Sequence, residues 1–231
     1  MKKMRIGVLF GGRSGEHEVS LMSVRSVLAA INREKYEIAM IGITKEGRWV
    51  CGGDTLRALE SGSDAAGTVT AAALLGDPDR HVLLQIREDE VTQELVFSNG
   101  MELDVVFPVL HGTFGEDGTI QGLLELADLA YVGAGVVASA IGMDKGIFKS
   151  VMRAAGLPVL PALVFNRSEY ELDPNMVIRS VLEELNFPLF IKPVNLGSSV
   201  GVTKASDRVT LRSGLDEAAR WDRRLLVEQG V

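Results

Sequence analysis

The stretch MRIGVLFGGRSGEHEVS, residues 4–20, governs how the rest of the chain is read. Met4 to Phe10 is a short apolar run closed by Gly11 and Gly12. The apolar positions beyond it, Val24, Val27, Leu28 and Ile31, follow the i, i+3, i+4, i+7 spacing of one helical face. Tyr36 to Ile43 is strand-like again. Strand, glycine turn, helix, strand is the opening of a parallel sheet covered by helices, so the first part of the chain reads as α/β.

Working outward, Gly52 to Asp77 is rich in Gly, Ser, Ala, Thr and Asp and reads as a surface excursion with one short helix. His81 to Arg87 and Glu94 to Phe97 flank the polar Glu88 to Gln93 as a hairpin. Leu103 to Leu110 is a second buried strand, followed by the loop HGTFGEDG (111–118), a helical pattern from Ile120 to Ala127 and a strand near Ala130 to Val132. Lys145 to Ala155 is an amphipathic helix, with Gly156 suited to the position past its end and Pro158 blocking continuation. A boundary near here divides the chain into residues 1–142 and 143–231. The later part alternates strand (160–165), helix (174–185), strand (189–193), a Gly/Ser loop, strand (200–204), helix (211–220) and strand (225–228). The two strands around Gly197-Ser198-Ser199 form a hairpin, which makes this half α+β.

The 231 residues suit two modest domains, and 24 basic against 31 acidic residues give a net charge of −7. That balance argues against a broad nucleic-acid or anionic-membrane surface, so any anionic ligand must be gripped locally. Hydrophobic residues at 46% and charged residues at 24% exclude a disordered or collagen-like chain. The single cysteine, Cys51, permits no intrachain disulfide and no cysteine-rich zinc site, which fits a reducing cytoplasm. The Met1 to Arg5 charges precede an apolar run too short for a signal or a membrane span.

Three loops hold residues that could carry chemistry. In GGRSGEHE (11–18), backbone N–H groups at the strand-to-helix turn could take an anion, yet the spacing is GGxxG and Glu16 would sit where a pyrophosphate should lie. A carboxylate there suits a cation such as a substrate ammonium. The plainer alternative is that Glu16 and Glu18 favour the helix dipole. In the second loop, His111 stands at the carboxyl end of a buried strand, the edge where ligands bind in open α/β sheets, or is an ordinary loop residue. Glu116-Asp117-Gly118 lacks the alternating oxygens of a calcium loop. In KPVNLGSSVG (192–201), a lysine enters a Gly/Ser turn whose N–H groups, hydroxyls and ammonium could hold phosphate, or the segment is a plain hairpin. No GxxxxGK[ST] pattern occurs. Lys145, a cation at a helix start, opposes the dipole and hints at a phosphate partner.

Five segments in this order, GGRSGEHEVS (11–20), HGTFGEDGTIQG (111–122), YVGAG (131–135), MDK (143–145) and KPVNLGSSVG (192–201), resemble the D-alanine–D-alanine ligase family of the ATP-grasp superfamily. The resemblance implies a Rossmann-like, pre-ATP-grasp domain followed by the central lobe of an ATP-grasp fold, with the C-terminal lobe absent. It implies that Glu16 holds the ammonium of a first D-alanine, aided by Ser198, that Val19 lines its methyl pocket and that His111 faces the reacting carboxylate. Lys145 and Lys192 would bind ATP phosphates beneath the loop of Gly197, Ser198, Ser199 and Val200, while Glu228 and Val231 of LVEQGV (226–231) would meet adenine. Glu16 and Ser198 are thus the implied catalytic residues.

The implied chemistry joins two D-alanines through an acyl phosphate, with ATP and Mg2+ or Mn2+, for peptidoglycan precursor synthesis. The family's magnesium ligands and closing loop have no counterpart here, so the 231-residue chain is expected to be truncated and inactive alone. Specificity for D-alanine, D-lactate or D-serine as second substrate stays open. Apolar helices of the first domain could pair two copies into a homodimer. The rivals are a non-catalytic nucleotide- or ligand-binding module and a dinucleotide-dependent oxidoreductase. The GGxxG spacing and the absence of an acidic residue ending the second strand, followed by Thr44-Lys45, disfavour the oxidoreductase.

Overall fold

A computed structural model describes residues 2–62, 67, 69–89 and 91–231. The chain divides into two compact units, Met1–Ser139 and Ala140–Val231. The first contains β1 (Met4–Gly11), α1 (His17–Ala30), β2 (Tyr36–Ile43), β3 (Trp49–Cys51), α2 (Thr55–Ser61), β4 (Thr70–Leu74), β5 (Val82–Glu88), β6 (Leu95–Glu102), β7 (Val105–Leu110) and α3 (Thr119–Leu126). Then α4 (Val136–Met143) crosses the division.

Among the described residues of the first unit, seven strands form one sheet in the order β6-β5-β4-β3-β2-β1-β7. β1 lies near its parallel end, with Ile6 beside Ile38 of β2 on one side and Val105 of β7 on the other. Its unbroken apolar run follows from burial on both faces. Val8 and Phe10 pack with Leu21 and Val24 of α1, whereas Leu9 packs with Ile120 and Leu124 of α3.

The expectation of a parallel sheet holds for β2-β1-β7 and fails beyond β2, where β3 to β6 pair antiparallel in sequence order. Residues 44–48 between β2 and β3 make a tight turn, with Thr44 N–H on the Arg48 carbonyl (2.9 Å), and so short a link cannot make a parallel crossover. The surface excursion Gly52 to Asp77 is also corrected. It holds the expected short helix, α2, capped by Asp54 on the Arg57 N–H (3.1 Å), but also the sheet strand β4. β4 reads TAAAL, and its three alanines carry little strand signal. Residues 63–66 and 68 of that excursion, residue 90 in the hairpin turn and residue 1 of the N-terminal charge cluster lie outside the described residues. The strand expected at Ala130 to Val132 reduces to one bridge, Val106 to Tyr131. Cys51 is buried, and burial pushes its thiol up, against a smaller opposing hydrogen bond to Gln85.

The second unit contains α5 (Lys145–Ala154), β8 (Ala162–Asn166), α6 (Arg167–Leu172), α7 (Pro174–Glu184), β9 (Leu189–Pro193), β10 (Thr203–Ala205), α8 (Arg208–Trp221) and β11 (Arg224–Gln229). Among the described residues its sheet has four strands in the order β10-β9-β11-β8, all antiparallel. The expected hairpin is present as β9 and β10, but its second strand starts at Thr203, because Ser198 (φ 47°), Ser199 (φ 58°) and Gly201 (φ 66°) are left-handed and cannot lie in a strand. Leu189 and Ile191 of β9 and Leu225 and Val227 of β11 form the core with Val177, Ile178 and Val181 of α7 and Leu211 and Leu215 of α8. By strand alternation, Lys192 and Glu228 occupy the opposite face.

Candidate functional site

In the first unit, the loops after β1 and β7 are laced together. Ser14 Oγ donates to the His111 carbonyl (2.8 Å) and accepts from the Glu16 N–H (3.1 Å). Ser20 Oγ accepts from the Gly11 N–H (2.8 Å) and donates to the Val109 carbonyl, tying α1 to both strands. Glu16 stands at the N-cap of α1, yet its side chain does not cap the helix. Its carboxylate lies against the Cα of Gly112, where a Cβ would collide with Oε2 and where φ is 72°. The dipole-only reading of Glu16 is therefore weakened, because its carboxylate is aimed along the loop after β7. His111 Nε2 shares a hydrogen bond with Ser23 Oγ (2.9 Å). Val19 is exposed on α1. Glu116 Oε2 accepts from the Gly112 N–H (2.7 Å), so this carboxylate braces its own loop.

Sequence reading singled out neither Ser14 nor Ser23. Their roles depend on partners near residue 111, a long-range pairing with no local signal. Trp49, read as a core or surface residue, lines a cavity of about 740 Å³ with His17, Glu18, Lys45 and Glu60, and also a smaller one of about 330 Å³ beside Arg13 and Phe114. The Arg13 guanidinium lies 4.3 Å from the Phe114 ring centroid.

In the second unit, α5 begins beside the turn that follows β9. Asp144 caps it, Oδ1 accepting from the Ile147 N–H (2.8 Å), while Oδ2 pairs with Arg224 of β11. The Lys145 N–H donates to the Val194 carbonyl (3.2 Å), and Nζ reaches the carbonyls of Val194 (3.3 Å) and Leu196. Burial and the nearby Lys192 charge push the Lys145 ammonium below the ordinary lysine range. Lys192 pairs with Glu228 Oε2, and Lys149 pairs with Glu228 Oε1. Lys192 and Glu228, assigned by the resemblance to phosphate and adenine respectively, are thus bonded to each other here. Ser198 and Ser199 are exposed at the turn, Gly197 and Val200 are half-buried, and Val231 is exposed.

Burial works to raise the Glu228 carboxyl, and the hydrogen bonds from Lys149 and Lys192 outweigh it, holding the group below the ordinary glutamate range. A carboxyl depressed in the folded state contributes stability that is full above its unfolded pKa and lost as pH falls through its folded one. The acid limb of the second unit's stability–pH curve is therefore expected to steepen below the ordinary glutamate range. In urea melts at stepped pH, Glu228→Gln should flatten that limb; an unchanged limb would contradict the linkage.

Among the described residues no three His, Cys, Asp or Glu side chains converge as metal ligands. No helix among them is long and apolar enough to cross a membrane.

An α/β unit with laced glycine loops at its sheet edge, followed by an antiparallel α+β unit with a lysine-flanked Gly/Ser turn, is the architecture the resemblance implied. Family models described as D-ala D-ala ligase N-terminus and D-ala D-ala ligase C-terminus match residues 5–134 and 151–231. The chain belongs to the D-alanine–D-alanine ligase family. It is 47% identical over 231 residues to the D-alanine–D-alanine ligase of Natranaerobius thermophilus, covering 100% of this chain and 61% of that protein. A second relative, from Heliobacterium modesticaldum, is 45% identical with the same coverage, 100% and 61%. The chain thus spans about 61% of the length of these curated relatives. Among solved structures, the VanG D-Ala:D-Ser ligase of Enterococcus faecalis superposes with a TM-score of 0.85 at 31% identity, covering 100% of this chain and 63% of that one. The D-alanine-D-alanine ligase of Coxiella burnetii gives 0.80 at 32%, covering 99% and 64%.

Proposed function

We propose that this chain carries the first-substrate and nucleotide-gripping residues of an ATP-dependent ligase that joins two D-alanines for peptidoglycan precursor synthesis in the cytoplasm. Residues 1–142 form its substrate domain and residues 143–231 the central lobe of its ATP-grasp fold. The observation that supports the reading is the pairing of Lys149 and Lys192 on Glu228, with Lys145 held near Lys192 at the carbonyls of Val194 and Leu196, beside a turn with left-handed backbone at Ser198, Ser199 and Gly201. Lysine ammoniums beside a left-handed Gly/Ser turn suit phosphate.

In this mechanism the carboxylate of the first D-alanine attacks the γ-phosphorus of ATP, and ADP leaves. The amine of the second D-alanine then attacks the acyl phosphate carbonyl, phosphate departs and the amine loses a proton. Glu16 pairs with the first ammonium, and His111, steadied by Ser23, faces the reacting carboxylate. Lys145 and Lys192 offset charge on the phosphates. Such catalysis is mostly positioning and charge neutralisation. The likeness to the VanG ligase favours one second reading, D-serine as the acceptor amine.

Calorimetric titration with ATP, D-alanine and NAD tests the reading. ATP and D-alanine are expected to bind, with D-alanine affinity falling about tenfold or more in Glu16→Gln, as expected for loss of a charged hydrogen bond. NAD binding without ATP binding would overturn it. No phosphate release from ATP and D-alanine is expected from this 231-residue chain alone.

A further inference from the structure

Lys149 belongs to none of the motifs that suggested a nucleotide site, yet it shares the Glu228 carboxylate with Lys192. It lies one helical turn past Lys145 on α5, so both project from the same helix face. Its side chain is 15% exposed and that of Glu228 11%. The Lys149 ammonium also donates to the Leu160 carbonyl (3.2 Å), which fixes it at both ends. Glu228 therefore divides its two oxygens, Oε1 to Lys149 and Oε2 to Lys192. These two lysines are the charged groups seen facing that carboxylate, one from α5 and one from β9.

The division has a consequence once a phosphate competes for Lys192. A buried carboxylate that lost its only cation would take up a proton and become a donor. A second, independently anchored cation prevents that.

We propose that Lys149 is a positioning residue: it keeps Glu228 an ionised, fixed acceptor when Lys192 turns to phosphate, and so makes the site select a base bearing an amino group over one bearing a keto oxygen. An ionised acceptor accepts from the amino group of adenine and repels the carbonyl of guanine at the same position. This inference rests on the proposed nucleotide reading.

The test compares ATP and GTP binding to the wild-type chain, K149M, K149Q and K149R by calorimetry between pH 5 and 8, with thermal melts to confirm folding. The wild type should prefer ATP. K149M and K149Q should lose about tenfold or more of that preference, the size expected for a lost charged hydrogen bond, and residual ATP affinity should fall toward pH 5. K149R should restore both the preference and the flat pH profile. A folded K149M or K149Q with an unchanged ATP-to-GTP ratio would overturn the proposal.

If the wild type binds neither nucleotide, the nucleotide reading fails instead. The 13C titration of the Glu228 carboxyl then tests Lys149 alone: its midpoint should rise in K149Q, and no rise would sink the positioning role.

Discussion

Replacing Asp144 by alanine is expected to cost the second unit about 3 kcal/mol, the sum of a broken, partly buried ion pair and a lost helix cap. One carboxylate does both jobs, Oδ1 capping α5 at the Ile147 N–H (2.8 Å) and Oδ2 meeting the Arg224 guanidinium. Asp144 is 7% exposed and the Arg224 side chain 28%, so removal of the carboxylate leaves a partly buried guanidinium without this partner. Asp144→Asn separates the two effects, because asparagine caps a helix about as well as aspartate but carries no charge. Urea unfolding should place Asn about 1 kcal/mol above Ala, with most of the loss common to both. If both variants unfold with the wild type, the pair contributes nothing.

The second large effect lies in the first loop, where two glycines four residues apart should respond very unequally. Gly11→Ala is expected to cost the first unit about 3 kcal/mol or more. At φ 88° an alanine is strained, and its Cβ would overlap the Ile43 carbonyl oxygen and approach Leu59 Cδ2 to 2.9 Å. That carbonyl belongs to the neighbouring strand and also accepts from the Gly12 N–H (2.9 Å), so it cannot move aside without breaking the sheet edge. Gly15→Ala should change stability by no more than about 0.5 kcal/mol, because nothing lies within 4 Å of its added methyl. A thermal melt in which the two variants behave alike would remove the steric account of this motif.

Much of the architecture was legible because its signals are local. The run at Met4 to Phe10 and the spacing at Val24, Val27 and Leu28 were enough for β1 and α1, and Gly156 with Pro158 marked the end of α5. β3 and β4 were not legible. A three-residue strand is too short to show a sustained alternation, and the alanines of β4 carry little strand preference. The antiparallel direction of β3 and β4 also escaped, since it depends on connection length and pairing rather than on residue type.

The candidate residues follow the same division. Glycines, a serine pair, Glu16, His111, Lys145 and Lys192 stood out at loop positions because turn chemistry is written in adjacent residues. Ser14 against His111, Ser23 against His111 and Lys149 against Glu228 did not.

By itself, the sequence determined where the chain turns, which runs are buried and which loops hold charged groups beside flexible backbone. Only the tertiary structure decided that Lys149 and Lys192 share one carboxylate. Antiparallel pairing of β9 with β11 and the packing of α5 over that face bring distant residues within hydrogen-bond reach, and no local pattern encodes which charges will meet.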